Sequence, residues 1–159
     1  RSNNPSVSPE RMPDVLQKSV QGLDYLDPTA LWTYKWSLHS AGHSSLDLKD
    51  TPREHMYRNR DRNNSFMLGD SGGFQIGKGK WEGDWKANSG CDKAQKKRDG
   101  VLKWMDEYMD YGMILDVPAW LARSPEGAKA AQISTYQEAA DGTAFNNEYW
   151  IKNLSLIHI

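Results

Sequence analysis

The sequence predicts an α/β chain, and three observations carry that reading. Two short apolar runs each end on an aspartate, a Gly-Gly turn follows the first, and an amphipathic helical stripe lies between them. Ser65-Phe66-Met67-Leu68 leads into Gly69-Asp70, and Met113-Ile114-Leu115 leads into Asp116. The repeated order of strand, acid, loop and helix describes β/α units, whose strands run parallel through crossover helices. Both acids then share the carboxyl-terminal edge of the sheet, where parallel α/β folds and (β/α)8 barrels build their sites.

Each element follows from local pattern. Residues 1–13 are polar, with three prolines, and read as extended. Val15, Val20, Leu23 and Leu26 give a short helical pattern, and Leu31 to Trp36 reads as a strand without excluding a helix. From His39 to Asn64 the chain is polar, and His39, His43 and His55 read as solvated loop histidines. A strand over 65–69 and a loop over 70–91 come next. Adjacent glycines in that loop permit φ > 0 and close backbone approach.

From Asp92 to Tyr111, Val101, Leu102, Met105, Tyr108 and Met109 recur at helical spacing. The lysine-rich run 93–98 reads as a solvated face of this helix, and Gly112 as its stop. Pro118 ends the second strand. A loop holding Pro125 and Gly127 then leads to a final helix over Ala128 to Asn153, broken near Gly142.

Composition narrows the class. The chain has 159 residues, net charge −1, 38 % hydrophobic residues and mean hydropathy −0.80, lean for a self-sufficient core. The charge balance gives no bulk attraction to nucleic acid. A lone Cys91 excludes a disulfide framework, and no histidine spacing links to it as in a zinc site. No apolar run reaches the roughly 20 residues of a membrane span. A soluble protein of the cytoplasm, or of a host cell's cytoplasm if phage-encoded, is expected, with no membrane partner.

The chain reads as a piece of something larger. Leu154-Ser155-Leu156-Ile157-His158-Ile159 is what CTG TCT CTT ATA CAC ATC encodes, a transposase end sequence used in sequencing libraries. That tail is set aside as a scar. Three stretches result: an N-terminal segment 1–64, a stretch 65–153 of paired β/α units, and the tail 154–159.

Two motifs overlapping the glycine turn point elsewhere and fail. Gly69-Asp70-Ser71-Gly72-Gly73 matches the nucleophile region of trypsin-like serine proteases, but His43 lies too near Ser71 in sequence for a double β-barrel. Gly72-x4-Gly77-Lys78 matches a P-loop until Gly79, where a magnesium-binding Ser or Thr belongs.

Asp70-Ser71-Gly72-Gly73-Phe74-Gln75 resembles the signature of the tRNA-guanine transglycosylase superfamily, and Met113-Ile114-Leu115-Asp116 resembles its second acid-bearing strand. The resemblance carries motifs over about residues 65–120. It implies the truncated N-terminal part of a (β/α)8 TIM barrel and a pentosyltransferase that exchanges guanine in tRNA or DNA for a 7-deazaguanine base. By position, Asp70 is the proton-handling carboxylate, and Ser71, Gly72, Gly73 and Phe74 form the loop against the base. Asp116 accepts the guanine ring N–H and exocyclic amine as a bidentate pair. Extrusion of the base into such a pocket is base flipping.

The resemblance also implies parts beyond these residues: a nucleophilic Asp that attacks the anomeric carbon, a Cys-rich zinc site, and a homodimer of the full-length protein. No cofactor or metal belongs to the residues present, and nothing in the context of Asp50 or Asp84 makes either a stand-in for the nucleophile. The fragment alone is expected to be inactive. Ile76-Gly77-Lys78-Gly79-Lys80-Trp81 departs from the tRNA enzymes, which keeps DNA open as the target. Lys78, Lys80, Lys86, Trp81 and Trp85 offer phosphate contacts and stacking, against a plainer reading of solvated lysines and packed tryptophans. Two other functions fit the paired acids: a glycoside hydrolase-like barrel, and a non-catalytic purine-binding domain.

Overall fold

A computed structural model describes residues 25–29, 33–49, 57–58, 60–87 and 92–153. Its centre is an open, three-stranded sheet of parallel strands in the order β1-β2-β3. Strand β1 spans Trp36–Ser40, β2 Phe66–Asp70 and β3 Tyr111–Gly112. Trp36 aligns with Phe66 and Ser40 with Asp70, while Leu68 aligns with Tyr111. Among the described residues the sheet does not close into a barrel. Helical elements among the described residues include α1 (Gly73–Gly77), α2 (Asp92–Tyr108), α3 (Pro125–Ala131) and α4 (Tyr136–Asn153), with 3-10 turns at Ala41–His43 and Ala119–Arg123.

Alternation along β2 sorts its two faces. Met67 and Gly69 are buried, and Gly69 lacks a side chain because α2 passes close: a Cβ there would lie 2.7 Å from Met109 Cγ. Gly112 on β3 makes the same concession to Met105. The opposite face carries Trp36, Leu38, Phe66, Leu68 and Tyr111. It stays open to solvent: Trp36 is 66 % exposed, and rings of Trp36, Phe66 and Tyr111 follow one another at 5.2 and 5.3 Å.

Arg60 locks β2 to the end of α2. Its buried guanidinium donates to the Ser65 and Tyr108 carbonyls and pairs with Asp110 at 2.8 Å, and Asp110 in turn accepts the Met67 N–H. This lock ends α2 at Tyr108, three residues before the expected end at Tyr111. Gly112 becomes a strand residue rather than a helix stop, and β3 pairs at Tyr111–Gly112 instead of 113–115. The Met113 N–H still donates to the Gly69 carbonyl.

Other departures have local causes. Residues 73–77 form a helical turn inside the expected loop, because Ile76 and Gln75 are drawn into the core. The expected single helix over 128–153 is two. Ser124 caps α3, Pro125 occupies its first turn, and Gln132 at φ 56° stops it. Helix α4 begins at a capping box: Thr135 Oγ1 accepts from the Glu138 N–H, and the Glu138 carboxylate accepts from the Thr135 N–H. Gly142 does not break α4. It is the point where the helix touches the Trp85 carbonyl, which a Cβ would approach to 2.3 Å.

Further upstream, the strand sits at 36–40 rather than 31–36, so His39 and Ser40 belong to β1. His39 is no solvated loop residue: Tyr25 stacks on it and its Nε2 meets the Tyr25 hydroxyl at 2.9 Å. His43 is exposed on the 3-10 turn. The helix read over 15–26 lies outside the described residues except Tyr25 and buried Leu26, and Leu31, Trp32, Asp50, His55, Cys91 and the tail 154–159 lie wholly outside them. Among the described residues no helix is long and apolar enough to cross a membrane.

Candidate functional site

Asp70 ends β2 and Asp116 follows β3 by four residues, so the parallel pairing of β2 and β3 brings both acids to one edge of the sheet. Between them lies the Gly-Gly turn, and each glycine is needed for its own reason. Gly72 has φ 81°, and a Cβ on it would lie 2.7 Å from the Gly42 nitrogen and 2.9 Å from the Trp81 ring. Gly73 has ordinary dihedrals but sits under the second acid: a Cβ there would lie 2.0 Å from Asp116 Oδ1.

The Asp116 carboxylate senses Asp70. Partial burial pushes the Asp116 carboxyl above its ordinary pKa, its own backbone N–H opposes that, and the charge of Asp70 adds to the rise. Asp70 is half-buried, while Asp116 keeps open access to solvent.

The segment carrying Asp116 is held on both sides by α4. The Asn146 side-chain amide donates to the Leu115 carbonyl at 2.7 Å, and Thr143 Oγ1 accepts from the Val117 N–H at 2.9 Å. Asn146 is itself oriented by Arg98 of α2, whose Nε donates to Asn146 Oδ1 at 2.6 Å. Arg98 is fully buried between the Trp85 and Phe145 rings, with its guanidinium carbon 5.0 and 4.8 Å from their centroids. A charge sequestered this deeply is costly unless paired or stacked, so the Arg98–Asn146 link commits both helices to one arrangement.

An aromatic shelf flanks the acids. Phe74 is 58 % exposed and Trp120 43 %, with ring centroids 6.0 Å apart. Lys78 places its ammonium 5.5 Å from the Phe74 ring and 5.7 Å from that of Trp120. Trp120 lies against the backbone of Gly77, where a Cβ would meet its ring at 2.4 Å. Trp120 was not foreseen from sequence. Its signal was available: an aromatic four residues after a strand-end acid, on the same edge.

The remaining sequence candidates fall as follows. Ser71 is buried at 1 % exposure, so its hydroxyl is not presented at the surface. Trp81 and Trp85 are buried too, and Trp85 Nε1 donates to the Trp81 carbonyl; the packed-tryptophan reading holds and the stacking reading fails for both. Asp84 accepts the Lys86 N–H within its own turn. Among the described residues no group of three His, Cys, Asp or Glu side chains is disposed to hold a metal ion.

No family model, no curated protein and no solved structure matches this chain.

Proposed function

We propose that this chain carries the purine-recognition half of a base-exchange site, of the kind used by a pentosyltransferase that replaces guanine in tRNA or DNA with a 7-deazaguanine. The observation that carries the reading is the juxtaposition of Asp70 and Asp116 across the Gly72-Gly73 turn at one sheet edge. The Asp-Ser-Gly-Gly-Phe-Gln motif at 70–75 supports it. A carboxylate facing a purine edge accepts two parallel N–H bonds, and partial desolvation strengthens both. Asp116 has that role. Asp70 takes up or returns a proton on the exchanging base, and Phe74 walls the ring.

The open face of the sheet supports the finer fold reading, part of a (β/α)8 barrel. Trp36, Phe66 and Tyr111 form an apolar ladder of the kind that lines a barrel interior, and Asp70 lies at its carboxyl-terminal end. The attacking carboxylate on the sugar is assigned to residues beyond these.

Titration calorimetry with guanine and a 7-deazaguanine tests the reading. Binding of either, lost in Asp116→Asn and kept with simple glycosides as competitors, is the expected result. Absence of purine binding, or displacement by a glycoside, removes it. In a chain extended through the remaining barrel, labelled guanine incorporation into tRNA and into duplex DNA separates the two polynucleotide targets, and Asp70→Asn is expected to abolish it.

A further inference from the structure

A second feature, outside the acid pair, is a basic groove. Lys80, Trp81 and Glu82 of the turn after α1, Lys93, Lys96 and Lys97 of α2, and Ser45 and Leu46 from the loop after the first 3-10 turn line an open groove of about 470 Å³. In sequence the lysines form two separate runs, and the second reads as a solvated helix face. The fold brings both runs to one concavity.

Positions 93, 96 and 97 are spaced i, i+3 and i+4, which places them on one side of α2. Among the described residues Glu82 is the one carboxylate that lines the groove, and it is engaged with Lys93 at 3.2 Å. Among the described residues no carboxylate stands within ion-pair distance of Lys80, Lys96 or Lys97. Lys97 holds its ammonium 5.0 Å from the Trp81 ring centroid, so part of this charge is fixed in place. In a chain of net charge −1 such a local excess of cations is not a by-product of overall basicity.

We infer that this groove holds the phosphate backbone of a polynucleotide strand. Concave walls with one sign of charge concentrate a polyanion, and the released counterions make the binding strongly salt-dependent. The groove also continues the candidate site. Lys78, over the Phe74–Trp120 shelf, and Lys80, in the groove, are two residues apart in one turn held by the Gln75 carbonyl, which accepts from the Lys80 and Trp81 N–H groups. A strand whose base is at the acid pair thus has a cationic path leading away from it. The choice of a nucleic acid over another polyanion rests on the base-exchange reading; the groove itself does not.

The test uses fluorescein-labelled oligodeoxyuridylate and oligouridylate of twelve residues, titrated into the chain by anisotropy across a salt series. Pyrimidine strands leave the purine site out of the measurement. The Lys80→Gln/Lys96→Gln/Lys97→Gln variant is expected to bind at least tenfold more weakly, and its log–log salt slope to fall by about 2, roughly 0.7 per lost phosphate contact. A Lys→Arg triple at the same positions should retain binding, which separates charge from misfolding. A Lys35→Gln/Lys129→Gln/Lys152→Gln variant makes the same change in net charge elsewhere and should bind as the parent does.

Equal affinity of the two glutamine triples overturns the proposal, as does equal binding of a polyglutamate of matched charge. Guanine binding without oligonucleotide binding sinks the groove and spares the purine site. Lysine-dependent oligonucleotide binding without guanine binding does the reverse. Preference for one sugar identifies the strand as DNA or RNA.

Discussion

The Asp116 carboxylate rests on the bare α-carbon of Gly73, so close that a single added methyl would lie 2.0 Å from Oδ1. This contact couples the Gly-Gly turn to the second acid across two separate β/α units. It gives the second glycine a reason distinct from conformational freedom, since only Gly72 has a positive φ.

Gly73→Ala is therefore expected to displace Asp116 rather than to strain the turn. Overpacking of this kind costs about 1–3 kcal/mol, read from urea denaturation. Guanine affinity by calorimetry should fall more than tenfold. An alanine variant with parental purine affinity would show that Asp116 is not held where the base needs it.

Asp116→Asn should stabilise the fold at neutral pH. The folded pKa of Asp116 lies above its unfolded value, so its contribution is favourable below the unfolded pKa and lost as pH rises through the folded one. Removing the charge also removes repulsion from Asp70. The gain is expected at pH 7 and should vanish near pH 3, as followed by thermal melts. A gain that persists unchanged into acid would assign it to another cause.

His39 gives a dependence of opposite sign. Burial lowers its pKa from 6.5 to about 4. The unfolded chain thus binds the proton first, and stability contributed by neutral His39 is lost as pH falls from 6.5 towards 4. Linkage sets the full loss at roughly 3 kcal/mol. His39→Gln should flatten the stability profile over that window while leaving it curved below pH 4, where carboxylates take over.

Arg98 and Asn146 form a buried pair whose halves depend on each other. Asn146→Leu removes the acceptor that Arg98 Nε meets at 2.6 Å and should cost about 3 kcal/mol. Adding Arg98→Met should restore part of that loss, a coupling measurable in a double-mutant cycle. The Leu115 carbonyl loses its donor in both variants, so purine affinity should remain weakened even where stability recovers. Strict additivity of the two changes would break the proposed link from α2 through α4 to Asp116.

Much of this protein was legible along the chain because it depends on near neighbours. The strand before Asp70 and the stripe of Val101, Leu102, Met105 and Tyr108 are local patterns, and they fold as read, whereas Asp116 stands four residues past its strand rather than at its end. The capping box at Thr135 and Glu138 was equally local, though its signal was passed over. What tertiary structure alone decided involves residues far apart. Strand β3 is only two paired residues because Arg60 and Asp110 end α2 early. Gly142 stays helical because Trp85 needs its empty side. His39 is desolvated by Tyr25 and Tyr57, and Arg98 is buried by Trp85 and Phe145. The basic groove follows the same rule. Sequence supplies the lysines, but only packing of the turn after α1 against α2 turns two solvated runs into one concave, cationic surface.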